Sequence, residues 1–268
     1  MVATRGAIFS PGGARAVTSE RDATSHYVRA RSATSVDVLE QGASGQRSAR
    51  RLFMQLHVFT SCTDVKPVVR ALAASRIEAV LYHDLNDPRG IGVLAMEEDP
   101  GFVVNDLRAL LNAEPFAELP YRTEFTMFGR TYAPGFKPDS RDWLLRHPRR
   151  LVLDPARPWA VWYPLRRRGA FARLSTEEQR AIVQEHAALG RAYEEADLAH
   201  DIRLACHGLD VGDNDFVIGL VGRKLHPLSK LVQAMRRTAQ TAQYLERLGP
   251  FFAGRVAWQS ATRDGGEG

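Results

Sequence analysis

The chain has little that would cross-link or anchor it. Its 268 residues include only two cysteines, Cys62 and Cys206. That is too few for a disulfide framework, and neither has the closely spaced histidines of a structural zinc site. A reducing, cytoplasmic setting is the expectation that follows. No apolar run reaches the roughly 18 residues that span a bilayer, so a membrane partner is not expected. A continuous apolar segment of the kind found in secretory signals is missing too. Excess charge is modest: 36 Lys and Arg against 31 Asp and Glu leave +5. Residues 1–50 hold seven arginines against four acidic residues, and they are rich in Ser, Thr, Ala and Gly without apolar periodicity. Such a segment buries too little surface to offset its ordering entropy, so 1–50 reads as a disordered, dispensable tail, with Met54 as an alternative start. With no basic stripe on any one element, nucleic acid is not the expected partner.

What is present is ordinary globular material, 44% hydrophobic and 25% charged, enough for a sizeable core. From Arg51 onward the same order of elements occurs twice. Residues 52–60 alternate as a strand, and Asp64 with Pro67 opens a helix carrying Val68, Val69 and Leu72. Strands at 77–84 and 91–97 flank the turn Asn86-Asp87-Pro88-Arg89-Gly90. Phe102, Val103, Leu107, Leu110 and Leu111 recur at helical spacing, and 123–132 closes the set. This is the β-α-β-β-α-β order of a ferredoxin-like unit over 51–132. After a Pro- and Arg-rich connection, 133–158, a second unit spans 159–260. It has strands at 159–165, 201–209, 215–221 and 251–258, a helix opened by the capping box Ser175-Thr-Glu-Glu178, and one long helix over 227–247. Residues 261–268 read as a frayed tail. The expected fold is α+β, two ferredoxin-like units whose sheets stack face to face or close into a barrel with helices outside.

The helix at 175–195 carries the most chemistry. Ile182, Val183, His186, Leu189, Gly190 and Tyr193 form one stripe at three- and four-residue spacing. An imidazole in an apolar stripe needs a partner, and a mid-helix glycine costs about 1 kcal/mol relative to alanine. Two readings satisfy both residues. His186 is a core histidine bonded to a backbone carbonyl, beside a glycine that allows close packing. Alternatively, His186 Nε2 ligates the iron of a porphyrin lying flat against Gly190.

Several segments in order carry a resemblance: Trp162-Tyr163-Pro164-Leu165, Ser175 to Arg180, Glu185-His186, Gly190-Arg191-Ala192-Tyr193, Gly208-Leu209-Asp210, Asp213 to Val217, Leu231 to Arg236 and Pro250 to Gly254. Over 159–259 the chain resembles the chlorite dismutase-like haem proteins, a family that includes the coproheme decarboxylases. The resemblance implies two ferredoxin-like halves, haem b or coproheme in the second half, and rings of five or six subunits. It puts the iron ligand on His186 and the reactive tyrosine of the decarboxylases, which work with hydrogen peroxide, on Tyr163. Propionate-binding positions fall on Arg167, Arg236 and Thr241, and on Arg150 or its neighbour Arg149. Phe171, in Ala170-Phe171-Ala172, replaces a tryptophan of the family and can pack on a porphyrin edge without its hydrogen bond.

The residue over the iron decides the chemistry in that family. Chlorite-degrading members carry arginine there. Counting forward from His186 gives Ala199, and counting back from Gly208 gives Asp201. Strand alternation sets Asp201, Arg203, Ala205 and His207 on one face. Arg203 is therefore the candidate for chlorite dismutase or peroxidase chemistry, with His200 or His207 as a base. An Arg203–Asp201 pair that is purely structural fits equally well. Coproheme decarboxylation is the first expectation, a haem carrier, sensor or haem-less homologue the alternative. His57 and His83, on strands of the first unit, read as structural.

Overall fold

Alternating apolar residues make strands that must cover one another on both faces, and here they do so around a ring. The structure is a computed structural model and describes residues 36–43, 45–133 and 141–261. Leu39–Gly268 forms one compact unit. It begins with a small hairpin, β1 (Glu40–Gln41) against β2 (Arg47–Ser48). The first half follows: β3 (Phe53–Phe59), α1 (Lys66–Ala74), β4 (Glu78–Asp84), β5 (Ile91–Glu97), a π-helical turn Val103–Leu107 running into α2 (Arg108–Leu111), and β6 (Met127–Thr131). A second π-helical turn, Asp142–Arg146, continues as α3 (His147–Val152). The second half is β7 (Trp159–Arg167), α4 (Gly169–Ala172), α5 (Thr176–Glu195), β8 (His200–Ala205), β9 (Phe216–Gly222), α6 (Leu225–Met235), α7 (Ala239–Tyr244), β10 (Leu245–Leu248) and β11 (Phe252–Gln259).

Both halves show the same strand order, β6-β3-β5-β4 and β11-β7-β9-β8, all antiparallel. The halves join edge to edge. β4 pairs with β11 from Asp84–Gly254 to Val80–Gln259, and β6 pairs with β8 at Arg130–Ala205 and Thr131–Leu204. Eight strands thus close into a barrel, and β10 extends the wall beside Leu165–Arg167. Of the two sheet arrangements open from the sequence, closure is the one adopted. Met54, Leu56 and Val58 of β3, Trp162 of β7, Leu204 of β8 and Phe252 of β11 belong to the interior cluster. Two large rings fit there because glycine faces them. A Cβ on Gly219 would lie 2.4 Å from the Trp162 ring, and one on Gly92 2.4 Å from Phe252.

Four sequence expectations need correction. The tail reading of 1–50 fails at its C-terminal end, where Glu40 accepts from Arg130 (2.9 Å) and from the Ala133 N–H (3.0 Å). Residues 1–35 lie outside the described residues. The connection 133–158 is not merely a linker, because Leu144, Leu145, Leu151 and Val152 are buried in the barrel cluster. The last strand of the first half begins at Met127, not 123, after a 3-10 turn at Thr123–Phe125. The single helix over 227–247 breaks at Thr238, whose hydroxyl donates to the Met235 carbonyl (2.8 Å), and Leu245–Leu248 leave the helix to pair with β7. The tail 262–268 also lies outside the described residues.

Candidate functional site

Ser175 starts α5 as expected. Its hydroxyl accepts from the Glu178 N–H (3.3 Å) while Glu178 accepts from the Ser175 N–H (2.8 Å). The helix runs for 20 residues, yet none of them is fully buried. The reason lies beneath it. Between the outer face of β7–β9–β8 and helices α5, α6 and α7 sits a cavity of about 310 Å³, a size typical of small-molecule sites. Val183, His186, Ala187 and Gly190 form its helical wall. A Cβ at Gly190 would meet only Met235 Cε, at 3.6 Å. Protein packing therefore does not require glycine there, and the space over it is cavity.

His186 is held by one partner. Its Nδ1 lies 3.0 Å from Thr238 Oγ1. Because that hydroxyl donates to the Met235 carbonyl, it accepts from Nδ1–H. The proton is thereby assigned to Nδ1, and the Nε2 lone pair is left without a hydrogen bond among the described residues. Burial, with the Arg203 charge adding to it, pulls the His186 pKa down to about 4. The imidazole is neutral over the ordinary pH range, the form that binds a metal.

The opposite wall is a row across three strands. Register sets Tyr163 beside Ile218, and Ile218 beside Arg203. Tyr163 and Val161 face outward and Trp162 inward, as alternation requires. The Tyr163 ring stacks on Phe251 with centroids 4.7 Å apart. Burial, reinforced by Asp201, raises its phenol pKa, and Arg203 works against them. Arg203 donates through Nε to Asp201. Burial acts to lower the Arg203 pKa, and Asp201 more than compensates.

Cations gather at one end. The Arg167 guanidinium lies between two rings, 4.6 Å from Phe171 and 4.9 Å from Phe216, with its Nε buried and unpaired. Burial lowers its pKa. Arg236 sits over Phe251 (5.9 Å) and lines the cavity with Thr241. Seven of the nine residues singled out in the sequence, Tyr163, Arg167, His186, Gly190, Arg203, Arg236 and Thr241, line this one cavity. Phe171 does not line it and packs against the Arg167 guanidinium instead. Arg150 is a correction: its guanidinium forks onto Asp142, away from the cavity, while Arg149 bonds Glu78 (2.7 Å). His200 is bonded to Asp197 (2.8 Å), and His207 is exposed beside Asp215. Neither lines the cavity.

Two contributors escaped the sequence reading. Tyr132, just beyond β6, reaches the cavity from the first half, and its ring lies 5.6 Å from Phe216. No local motif marks it, because only the β6–β8 junction brings it there. Thr238 carried a weak signal, a hydroxyl inside a presumed helix. Among the described residues no three His, Cys, Asp or Glu cluster to hold a bare metal ion, and no helix is long and apolar enough to cross a membrane.

Comparison with known proteins agrees with this geometry. No curated protein matches the chain. Among solved structures, a haem-binding protein from Thermus thermophilus is similar at 17% identity and a TM-score of 0.60, over 77% of this chain and 91% of that one. Chlorite dismutase from Candidatus Nitrospira defluvii, in complex with imidazole, is similar at 18% identity and a TM-score of 0.60, over 78% and 92%. At such identities the likeness is one of fold. The chlorite dismutase family model matches residues 104–257, more than half of the chain, beginning well upstream of the motif-bearing segment and running through nearly all of it. The chain belongs to the chlorite dismutase family.

Proposed function

We propose that the chain binds an iron porphyrin, haem b or coproheme, through His186 and acts as an oxidoreductase, with peroxide-dependent decarboxylation of coproheme as its reaction. The observation that carries this reading is His186 itself: a neutral imidazole whose proton is fixed on Nδ1 by Thr238, at the wall of a cavity. The other residues present fit such a group. Gly190 leaves a flat patch over the helix. Arg167, half-buried with its Nε out of solvent and without an ion-pair partner among the described residues, suits a carboxylate. The haem-binding relative supports the same reading.

Such a group would supply a redox-active iron. His186 would hold it, and Arg167 and Arg236, with Thr241 beside them, would hold its propionates. Tyr163, with no hydrogen bond to its hydroxyl among the described residues, is free to give up and retake a hydrogen atom at Oη. The net change on one propionate balances as follows: the side chain, one hydrogen peroxide and one proton give a vinyl group, carbon dioxide and two waters. Tyr163 is 8% exposed and presents its side chain to the cavity. Assembly into a ring of five or six copies belongs to the same reading.

The test is an absorption titration with haem and with coproheme, alongside His186→Ala. A Soret shift lost in the variant, then mass loss of coproheme on adding peroxide, is the expected result. No shift with either porphyrin would return His186 to a core histidine. Arg203, on the wall opposite His186, favours a second reading as a chlorite dismutase or peroxidase, which oxygen release from chlorite would reveal. Haem uptake with Tyr163→Phe matching wild type in every turnover assay would instead indicate a carrier.

A further inference from the structure

Arg203 does not face the cavity alone. Asp201 lies two residues earlier on β8, on the same outward face, and both side chains line the cavity. The guanidinium Nε donates to the Asp201 carboxylate. The two side chains are only 26% and 20% exposed, so solvent does little to screen them. Their fields also oppose one another at both neighbouring groups. At His186, Arg203 favours the neutral form and Asp201 the charged one, and at Tyr163 Asp201 raises the pKa while Arg203 lowers it. Glu194 adds its negative charge to that of Asp201, while Arg167, which lines the same cavity, acts in the direction of Arg203, so the balance at this wall turns on the Asp201–Arg203 pair. A lone arginine over an iron draws small anions. One paired with a carboxylate presents a dipole with no net charge.

We infer that Asp201 determines specificity in this cavity: by neutralising Arg203 it selects a neutral oxidant, such as hydrogen peroxide, over an anionic one such as chlorite. This rests on the iron-porphyrin reading of His186. At protein-like effective dielectric, removing one charge a few ångströms from a bound anion changes its affinity by about tenfold or more.

The experiment uses the full chain loaded with haem, titrated with fluoride as the anionic probe and imidazole as the neutral one, each followed in the visible spectrum. Asp201→Asn is expected to tighten fluoride by about tenfold, with imidazole within twofold of wild type. Asp201→Ser gives the same contrast if the asparagine variant folds poorly. The double variant with Arg203→Gln is expected to return fluoride affinity close to wild type. Equal fluoride affinity in wild type and the Asp201 variants, with haem normally bound, overturns the inference alone. So does a parallel change for both ligands. Absence of a Soret band in wild type overturns the porphyrin reading, and this inference with it.

Discussion

The two halves of the barrel share one strand order and differ in what they enclose. Each has a cavity outside its sheet: about 310 Å³ in the second half and about 470 Å³ in the first. The first-half cavity is lined by His57 and Gln55 of β3 and by the segment Val103–Asn112. Its histidine stands on a strand, with Nδ1 2.8 Å from Tyr121 Oη and Nε2 buried without a partner. The helix equivalent to α5 is α1, of 9 residues, which contributes nothing to the cavity wall. Repeating a fold repeated the hollow. What the second half adds is a helix long enough to carry His186 over the sheet and an arginine, Arg167, held between two rings at one end of the cavity.

The sharpest way to break this comparison is to remove each histidine in turn. His186→Ala is expected to abolish porphyrin uptake, and His57→Ala to leave it within twofold, both read by Soret titration. Equal losses would mean that the halves are functionally alike. Arg167 offers a test with two signs. Its guanidinium is held between two rings without an ion-pair partner among the described residues, and on the porphyrin proposal Arg167→Met should weaken coproheme by about 10–100-fold. The same change should raise the melting temperature of the unloaded protein by roughly 2–4 °C for each kcal/mol of desolvation relieved. Loss of stability in the unloaded variant would assign Arg167 a structural role.

Acid should affect both halves alike. Burial depresses His57 and His186 from 6.5 to about 4. Above pH 6.5 both are neutral folded or unfolded and cost nothing. As pH falls from 6.5 towards 4, the unfolded chain takes up protons that the folded one refuses, and stability is lost. The loss is about 1.4 kcal/mol per pH unit for each histidine. Urea unfolding at pH 7 and pH 5 should show a smaller difference in His57→Phe and in His186→Phe than in wild type. The smallest expected effect is at Gly190. Gly190→Ala should stabilise the unloaded helix by about 1 kcal/mol while weakening porphyrin binding. Weakened folding instead would mean that the glycine serves protein packing.

Much of this was legible in the residues because it is local. The capping box at Ser175 set the start of α5, and alternation along β7 divided Trp162 from Tyr163. The helical stripe around His186 pointed to the cavity wall. What escaped depends on distant segments meeting. Arg150 looked like an anchor until Asp142 took it. Tyr132 joins the site only through barrel closure. The break at Thr238 follows from β10 leaving its helix to pair with Leu165–Arg167, a long-range preference that outweighs local periodicity. Pro164 lies within β7, where the neighbour on one side changes from β11 to β10 and a missing N–H is not needed.

The final strand of the barrel has a consequence for how the chain is made. β11 pairs with β7 on one side and with β4 on the other, 179 residues earlier in the case of Val80 and Gln259. Until it leaves the ribosome, both β4 and β7 stand as open edges, the kind of surface that recruits another chain. In the finished ring each of the eight strands has a partner on both sides, whereas the growing one lacks β11 for most of its synthesis. Its last eight-residue stave therefore protects solubility as much as it completes the wall.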